Sequence, residues 1–572
     1  MPNARLQPKT AIAIRRIGAA SVFSAAFLAF ALSARAQNTA DPAGPATSAA
    51  IDKVFAAFEG TTKPGCAVGV WKDGKVVYSR GFGMANLEYD VPITTETIFE
   101  AGSVSKQFAA AAVLLLAREK ELALNDDIRK LLPEVPAFGP LITIRHLLTH
   151  TSGIRDQWNL LTAAGRPPGS AVHTLDEILD LVSRQRDLNF APGDDYLYSN
   201  TGYALIAWVV LRASGRSLAD FSRERIFEPL GMARTQWRDD FAEIVKRRAT
   251  AYSRDRDGTH KQDMSFTNVY GNGGLLTTVG DLLLWAASFW SPRVLDPGAI
   301  AEMETPAVLN DGTKTLYGLG LNVGEYKGVR EISHSGSTAG YRAFLARYPD
   351  QRTAVAVLSN FAGAGAAELG RAVADVVLAG SLKGNPKIQP VSVPAELLQP
   401  KAGLYRSLRT DAVLVLSFRD GRLWEGERQG LALLALGPSR FLTTAGVEYV
   451  FETKGEGKTP TVRVSSPGTA SARFVRVEPA RPTPERLVEY AGTYWSEELE
   501  VTYIAAVRDG KLTLRRRPDP AVVLEPTYED GFVTPAGPGG GILLRFTRDA
   551  RGRVDGFSRN SGRILNLRFH KK

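Results

Sequence analysis

The sequence predicts an α+β fold followed by two small antiparallel β-barrel domains. Three observations carry that expectation. Strand-like hairpin patterns lie at residues 66–83 and again at 341–360, with long helical stretches between them. A Pro- and Lys-rich linker, SLKGNPKIQPVSVPAE, occupies residues 381–396. Beyond it the chain is nearly all short alternating strands and turns, and it repeats itself.

In chain order, residues 51–58 have helical spacing, and CAVGVWKDGKVVYSRGFG then reads as a hairpin turning at Asp73-Gly74. Helical patterns follow at 103–122, 143–149, 175–183 and 199–214. Strand patterns return in YGLGLNVG, in EISHSG and in a hairpin turning at Pro349-Asp350, and a helix over 363–378 closes this part. Hairpins at both ends place the first and last strands in one antiparallel sheet, in a domain spanning 51–380. In the tail, Ala402-Gly403-Leu404-Tyr405 is echoed by Ala491-Gly492-Thr493-Tyr494, and Arg419-Asp420-Gly421 by Arg508-Asp509-Gly510. Both echoes (402 to 491 and 419 to 508) are 89 positions apart. Two homologous β units follow, 397–480 and 484–572, and closing each into a barrel removes its exposed edges.

The first 36 residues have the pattern of an export signal. Lys9, Arg15 and Arg16 precede an apolar run over 17–32, and Ala34-Arg35-Ala36 gives a small-x-small cleavage site. That run is shorter than the roughly 20 residues a membrane span needs. Residues 37–50, rich in Ala, Ser, Thr and Pro, read as a flexible leader. The expectation is a periplasmic or secreted protein with no stable membrane span. The chain carries 70 Lys and Arg against 60 Asp and Glu. Five of the basic residues and no acids fall in the first 36, so the remainder is nearly balanced. No basic stripe stands out, which excludes a nucleic-acid partner. The one cysteine, Cys66, can form no internal disulfide and reads as a small core residue in a strand.

Three short motifs can carry chemistry. In AGSVSKQFAAAAVLLLAREK (101–120), Ser103 stands at the mouth of an apolar helix and Lys106 follows three positions later, on the same helical face. A nucleophile at that place has unpaired backbone N–H groups beside it, which suit a developing oxyanion. Tyr198-Ser199-Asn200 follows a loop with Pro192 and Gly193 and precedes another apolar helix. Beside a lysine ammonium, the Tyr198 phenolate would be favoured and could act as a base. His334-Ser335-Gly336 ends a strand pattern among small residues, where backbone can approach a ligand closely.

Their order, SxxK, then YxN, then HxG, resembles the penicillin-recognising serine hydrolases: class C β-lactamases, D-Ala-D-Ala carboxypeptidases, D-aminopeptidases and related esterases. TIFEAGSVSKQF, ITIRHLLTHTSGI, IFEPLGM and GNGGLLTTVGDLLLW look like that family at matching places. The resemblance implies a β-lactamase/transpeptidase-like domain and an acyl-enzyme mechanism. It makes Ser103 the nucleophile, Lys106 its charged neighbour, Tyr198 the general base and Asn200 an orienting residue. The N–H groups of Ser103 and Ser337, beside Gly336, would form the oxyanion hole. His334 departs from the Lys-Thr-Gly-like triplet of β-lactamases and carboxypeptidases, so a fixed cation is lost there. HxG and the two tail domains are similar to D-aminopeptidase-type members. D-amino-acid peptides or amides are therefore the leading substrates, ahead of a carboxylesterase, a β-lactamase or carboxypeptidase, and a non-catalytic peptide or peptidoglycan receptor.

No cofactor or metal is expected. His146 and His150 lack an accompanying zinc signature, and Gly271 to Gly274 lack the Lys-Ser/Thr of a phosphate loop. The expected partner is a small-molecule or peptide substrate, and a homodimer is compatible with the sequence. The Gly537–Gly541 turn is expected to reach the catalytic cleft.

Overall fold

The structure is a computed structural model and describes residues 44–384, 388–426, 430–452, 460–535 and 541–572. The export-signal segment and residues 537–540 of the glycine-rich turn lie outside the described residues. Helix α1 (Pro45–Phe55) starts inside the expected leader. Pro45 near its first position supplies a preset helical φ, and Ile51 and Phe55 give it an apolar face to bury.

Strands β1 (Cys66–Lys72) and β2 (Lys75–Phe82) form the expected hairpin, with Asp73 and Gly74 both at positive φ. The helix that follows the first motif, α2, runs Lys106–Arg118, and α3 runs Asn200–Ser214. Four late strands are β3 (Asn322–Tyr326), β4 (Val329–Thr338), β5 (Tyr341–Tyr348) and β6 (Thr353–Ser359), and α4 is Ala366–Val377. The sheet order is β3-β4-β5-β6-β1-β2, with β1 antiparallel to β6 from Cys66↔Ser359 to Lys72↔Thr353. First and last strands thus share one sheet.

Alternation along β1 shows why both sheet faces are covered. Cys66, Val68 and Val70 enter a core with α1 and α4, while Ala67 and Trp71 enter the larger core that holds α2 and α3. Cys66 is buried there, and burial pushes its thiol up to about 12. It is a packing residue rather than a nucleophile.

The tail forms two nearly closed antiparallel barrels of nine strands each, with matching strand orders. The 89-position echo is physical. Tyr405 and Tyr494 are both fully buried, and each hydroxyl donates to a carbonyl four residues earlier, Lys401 at 2.9 Å and Tyr490 at 2.7 Å. Asp420-Gly421 and Asp509-Gly510 make the same positive-φ hairpin turn. Among the described residues, no helix is long and apolar enough to cross a membrane.

Candidate active site

Ser103 lies in a 3-10 turn, Gly102–Ser105, that runs directly into α2, so Lys106 is the first residue of the α-helix. The turn is held from below. Ala101 N–H donates to Leu275 O at 2.8 Å, and Leu275 N–H donates to Ser105 Oγ at 3.1 Å. On the preceding strand, buried Glu100 takes two hydrogen bonds from Arg238, at 3.1 and 2.9 Å. From the side, β4 presses against the same turn. A Cβ on Gly102 (φ 51°) would meet Ser337 N at 2.6 Å, and one on Gly336 would meet Ala101 O at 2.0 Å. Both glycines are required by this approach of two backbones, which brings Gly336 and Ser337 to the nucleophile's turn.

Lys106 is fully buried, and its Nζ makes three contacts: Ser103 Oγ at 3.2 Å, Asn200 Oδ1 at 3.0 Å and the Asn272 carbonyl. Asn200 Nδ2 and its backbone N–H both donate to Asp156 Oδ2, at 2.9 and 2.7 Å. That network fixes the amide with its oxygen towards the lysine. Asp156 is itself buried and caps the helix Gln157–Ala164 through Trp158 and Asn159 N–H. A continuous chain, Asp156–Asn200–Lys106–Ser103, therefore ends on the serine hydroxyl.

Tyr198 lies against the same lysine, whose Nζ is 4.8 Å from the ring centre. Its ring borders the cleft, while its hydroxyl oxygen is out of solvent and has no hydrogen-bond partner of good geometry among the described residues. Ser103 is close enough to favour the phenolate, yet burial dominates and pushes the phenol above its ordinary range. Burial, reinforced by Arg563, pushes Lys106 well below the ordinary lysine range. These shifts run against the expectation of a Tyr198 phenolate beside a lysine ammonium, because desolvation favours both neutral forms.

His334 is buried beneath this pair. Its Nδ1 is 2.6 Å from Ser335 O, and its Nε2 is 2.8 Å from Tyr317 Oη. A carbonyl can only accept, so Nδ1 carries the proton and Nε2 accepts from Tyr317. Burial, then the nearby Lys106, lowers His334 to about 3, so it is a neutral residue that positions others. His150, read in sequence as half of an unconvincing metal pair, packs 4.1 Å from the Tyr198 ring, and its Nδ1 accepts from Ser199 N–H at 3.1 Å. It fixes the backbone beside Tyr198. His146 is elsewhere, closing a cap with Thr143.

Ser103, Tyr198, Asn200, His334, Gly336 and Ser337 all border one cleft of about 900 Å³. Asn272 and Gly273 line it too, so the 271–274 glycine cluster is cleft wall. Asp156 and Arg563 were invisible in sequence. Asp156 has the residue type of an ordinary helix cap, with nothing local to mark its burial, and Arg563 reaches the cleft from the last barrel, its guanidinium carbon 4.6 Å from the Tyr198 ring centre. The arrangement can activate a hydroxyl beside backbone N–H groups.

The sequence profile of the Beta-lactamase family matches residues 51–378. The chain is 31% identical over 315 residues to a D-aminopeptidase of Brucella anthropi, spanning 55% of this chain and 59% of that one. It is 29% identical over 475 residues to a D-aminopeptidase of Cereibacter sphaeroides, covering 81% of this chain and 84% of that one. Its structure resembles the octameric penicillin-binding protein homologue from Pyrococcus abyssi, with a TM-score of 0.53 and 25% identity over 75% of this chain and 99% of that one. Fold and cleft together define a serine hydrolase. The chain belongs to the Beta-lactamase family.

Proposed function

We propose that this enzyme hydrolyses amide bonds of D-amino-acid peptides or amides through an acyl-enzyme on Ser103. One observation carries the reading: the buried chain Asp156–Asn200–Lys106–Ser103. A neutral amine has two hydrogens and one lone pair. Asn200 Oδ1 and Asn272 O can only accept, so they take the two hydrogens and leave the lone pair facing the Ser103 hydroxyl. Lys106 is then the base that receives the serine proton, in place of the Tyr198 expected from sequence. As the Ser103 Oγ–C bond forms, Ser103 and Ser337 N–H stabilise the oxyanion. The C–N bond breaks as the leaving nitrogen takes a proton through Tyr198. Water then attacks the acyl carbon, its proton returning through Lys106 to Ser103.

The D preference is supported by the names of the two D-aminopeptidase relatives, the second spanning most of both chains. The basic, apolar, small-residue pattern of 1–36 supports action outside the cytoplasm. The test is turnover of D-alanine and L-alanine p-nitroanilides by wild type and Ser103→Ala. Wild type should favour the D form, and the variant should lose about 10⁴-fold or more in kcat. Faster turnover of the L form ends the D-peptidase reading, and an active Ser103→Ala ends the acyl-enzyme one.

A further inference from the structure

The last barrel delivers a cation to the catalytic phenol. The turn between its final strands, Val554–Ser561 and Ile564–Lys571, carries Gly562 and Arg563. That turn is locked onto the catalytic domain. Asn189 Nδ2 donates to Arg563 O at 3.1 Å, and Leu565 N–H donates to Asn189 Oδ1 at 2.8 Å. Gly562 has φ 55°, the left-handed region that favours glycine, and a Cβ there would meet Asn159 Nδ2 at 2.6 Å.

The head of Arg563 is held more loosely, by an ion pair to Asp156 too long for a hydrogen bond. Its guanidinium carbon lies 4.6 Å from the Tyr198 ring centre, and Arg563 borders the cleft with Ser103. Its side chain is 39% exposed. The nearest acid, Asp156, stands 3.6 Å away and already accepts four N–H groups, from Trp158, Asn159 and twice from Asn200. Among the described residues the guanidinium donates no hydrogen bond. A fixed backbone, a guanidinium over the ring and N–H donors that make no hydrogen bond among the described residues together form a fork suited to a carboxylate.

We propose that Arg563 binds a carboxylate on the leaving group, so that the preferred substrates are peptides cleaved one residue before a free C-terminus. This rests on the hydrolase reading above. Tyr198 hands a proton to the leaving nitrogen. In an amino-acid leaving group the carboxylate carbon is only two bonds from that nitrogen. A nitrogen beside the Tyr198 hydroxyl therefore has its carboxylate within reach of the guanidinium over the same ring. The cation missing from the third motif, where His334 stands, is supplied from the far end of the chain.

The experiment compares kcat/KM for D-alanyl-glycine and D-alanyl-glycinamide in wild type, Arg563→Gln and Arg563→Lys. Wild type should favour the free acid by about tenfold or more, the range for a hydrogen bond to a charged group. In Arg563→Gln the acid-to-amide ratio should fall close to one, and in Arg563→Lys it should lie between. A wild-type preference for the amide overturns the subsite, with no variant needed. An unchanged ratio in Arg563→Gln, or an equal fall on both substrates, also overturns it and leaves the hydrolase standing. Turnover of neither substrate by wild type, nor of D-alanine p-nitroanilide, overturns the hydrolase reading and the subsite with it.

Discussion

The two barrels share one strand order but meet the catalytic domain in opposite ways. Each presents the loop after its first strand and the turn of its last hairpin. In the first barrel these supply Arg409, which pairs with Asp195, and Ala470, whose N–H donates to Asp195 Oδ1 at 2.9 Å. In the second they supply Glu498, paired with Arg155 at 3.0 Å, and Arg563. Arg409 and Glu498 are themselves 89 positions apart, so one docking site appears twice with its charge reversed. Burial differs as much as sign. Arg409 is 36% exposed, whereas Arg155 is fully buried. The first barrel keeps a core of its own, while the second merges its core with Leu160, Leu161, Ile178 and Leu181 of the catalytic domain. A duplicated fold thus gave one appended module and one that completes the cleft, and a few loop residues decide which is which.

The comparison breaks most readily at Glu498. Glu498→Ala leaves Arg155 buried without its carboxylate, and should cost about 3–5 kcal/mol in denaturant unfolding. A loss below about 1 kcal/mol would show that the second barrel is no better anchored than the first. Next comes Tyr503, whose hydroxyl donates to Ala163 O at 2.9 Å in the shared core. Tyr503→Phe should cost about 1 kcal/mol by the same measurement, and a neutral result would remove that hydrogen bond from the account. Arg409→Ala should cost no more than about 1 kcal/mol, because a pair this exposed is screened by solvent. A loss equal to that of Glu498→Ala would erase the contrast.

The smallest effect sharpens the comparison through pH. Arg563 and Lys106 carry like charges, so Arg563 disfavours protonated Lys106 and lowers its pKa. If Lys106 is the base, kcat/KM rises with pH as it loses its proton. Arg563→Gln raises the Lys106 pKa, so the rising limb of the profile should move to higher pH. A limb that stays or moves down sinks the assignment of Lys106 as base. His334, at about 3, titrates far too low to produce that limb.

Much of the fold was legible because local patterns sufficed. The Asp73-Gly74 turn, the 175–183 helix and the 341–360 hairpin all lie where periodicity and turn chemistry place them. The site was legible in its three motifs and no further. Helix α1 starts at Pro45, inside the expected leader, because Ile51 and Phe55 bury against the sheet and α4, a contact absent from local sequence. The roles of Asp156, His150 and Arg563 could not be read locally, since each acts through a neighbour remote in the chain.

By itself, the sequence determined the strand and helix periods, the duplicated tail and the order of Ser103, Lys106, Tyr198 and His334. These depend on residue type and short spacing. Only the tertiary structure decided which groups are charged and which barrel reaches the nucleophile. Burial sets protonation by removing water, and burial at Lys106 depends on segments hundreds of residues apart meeting around it.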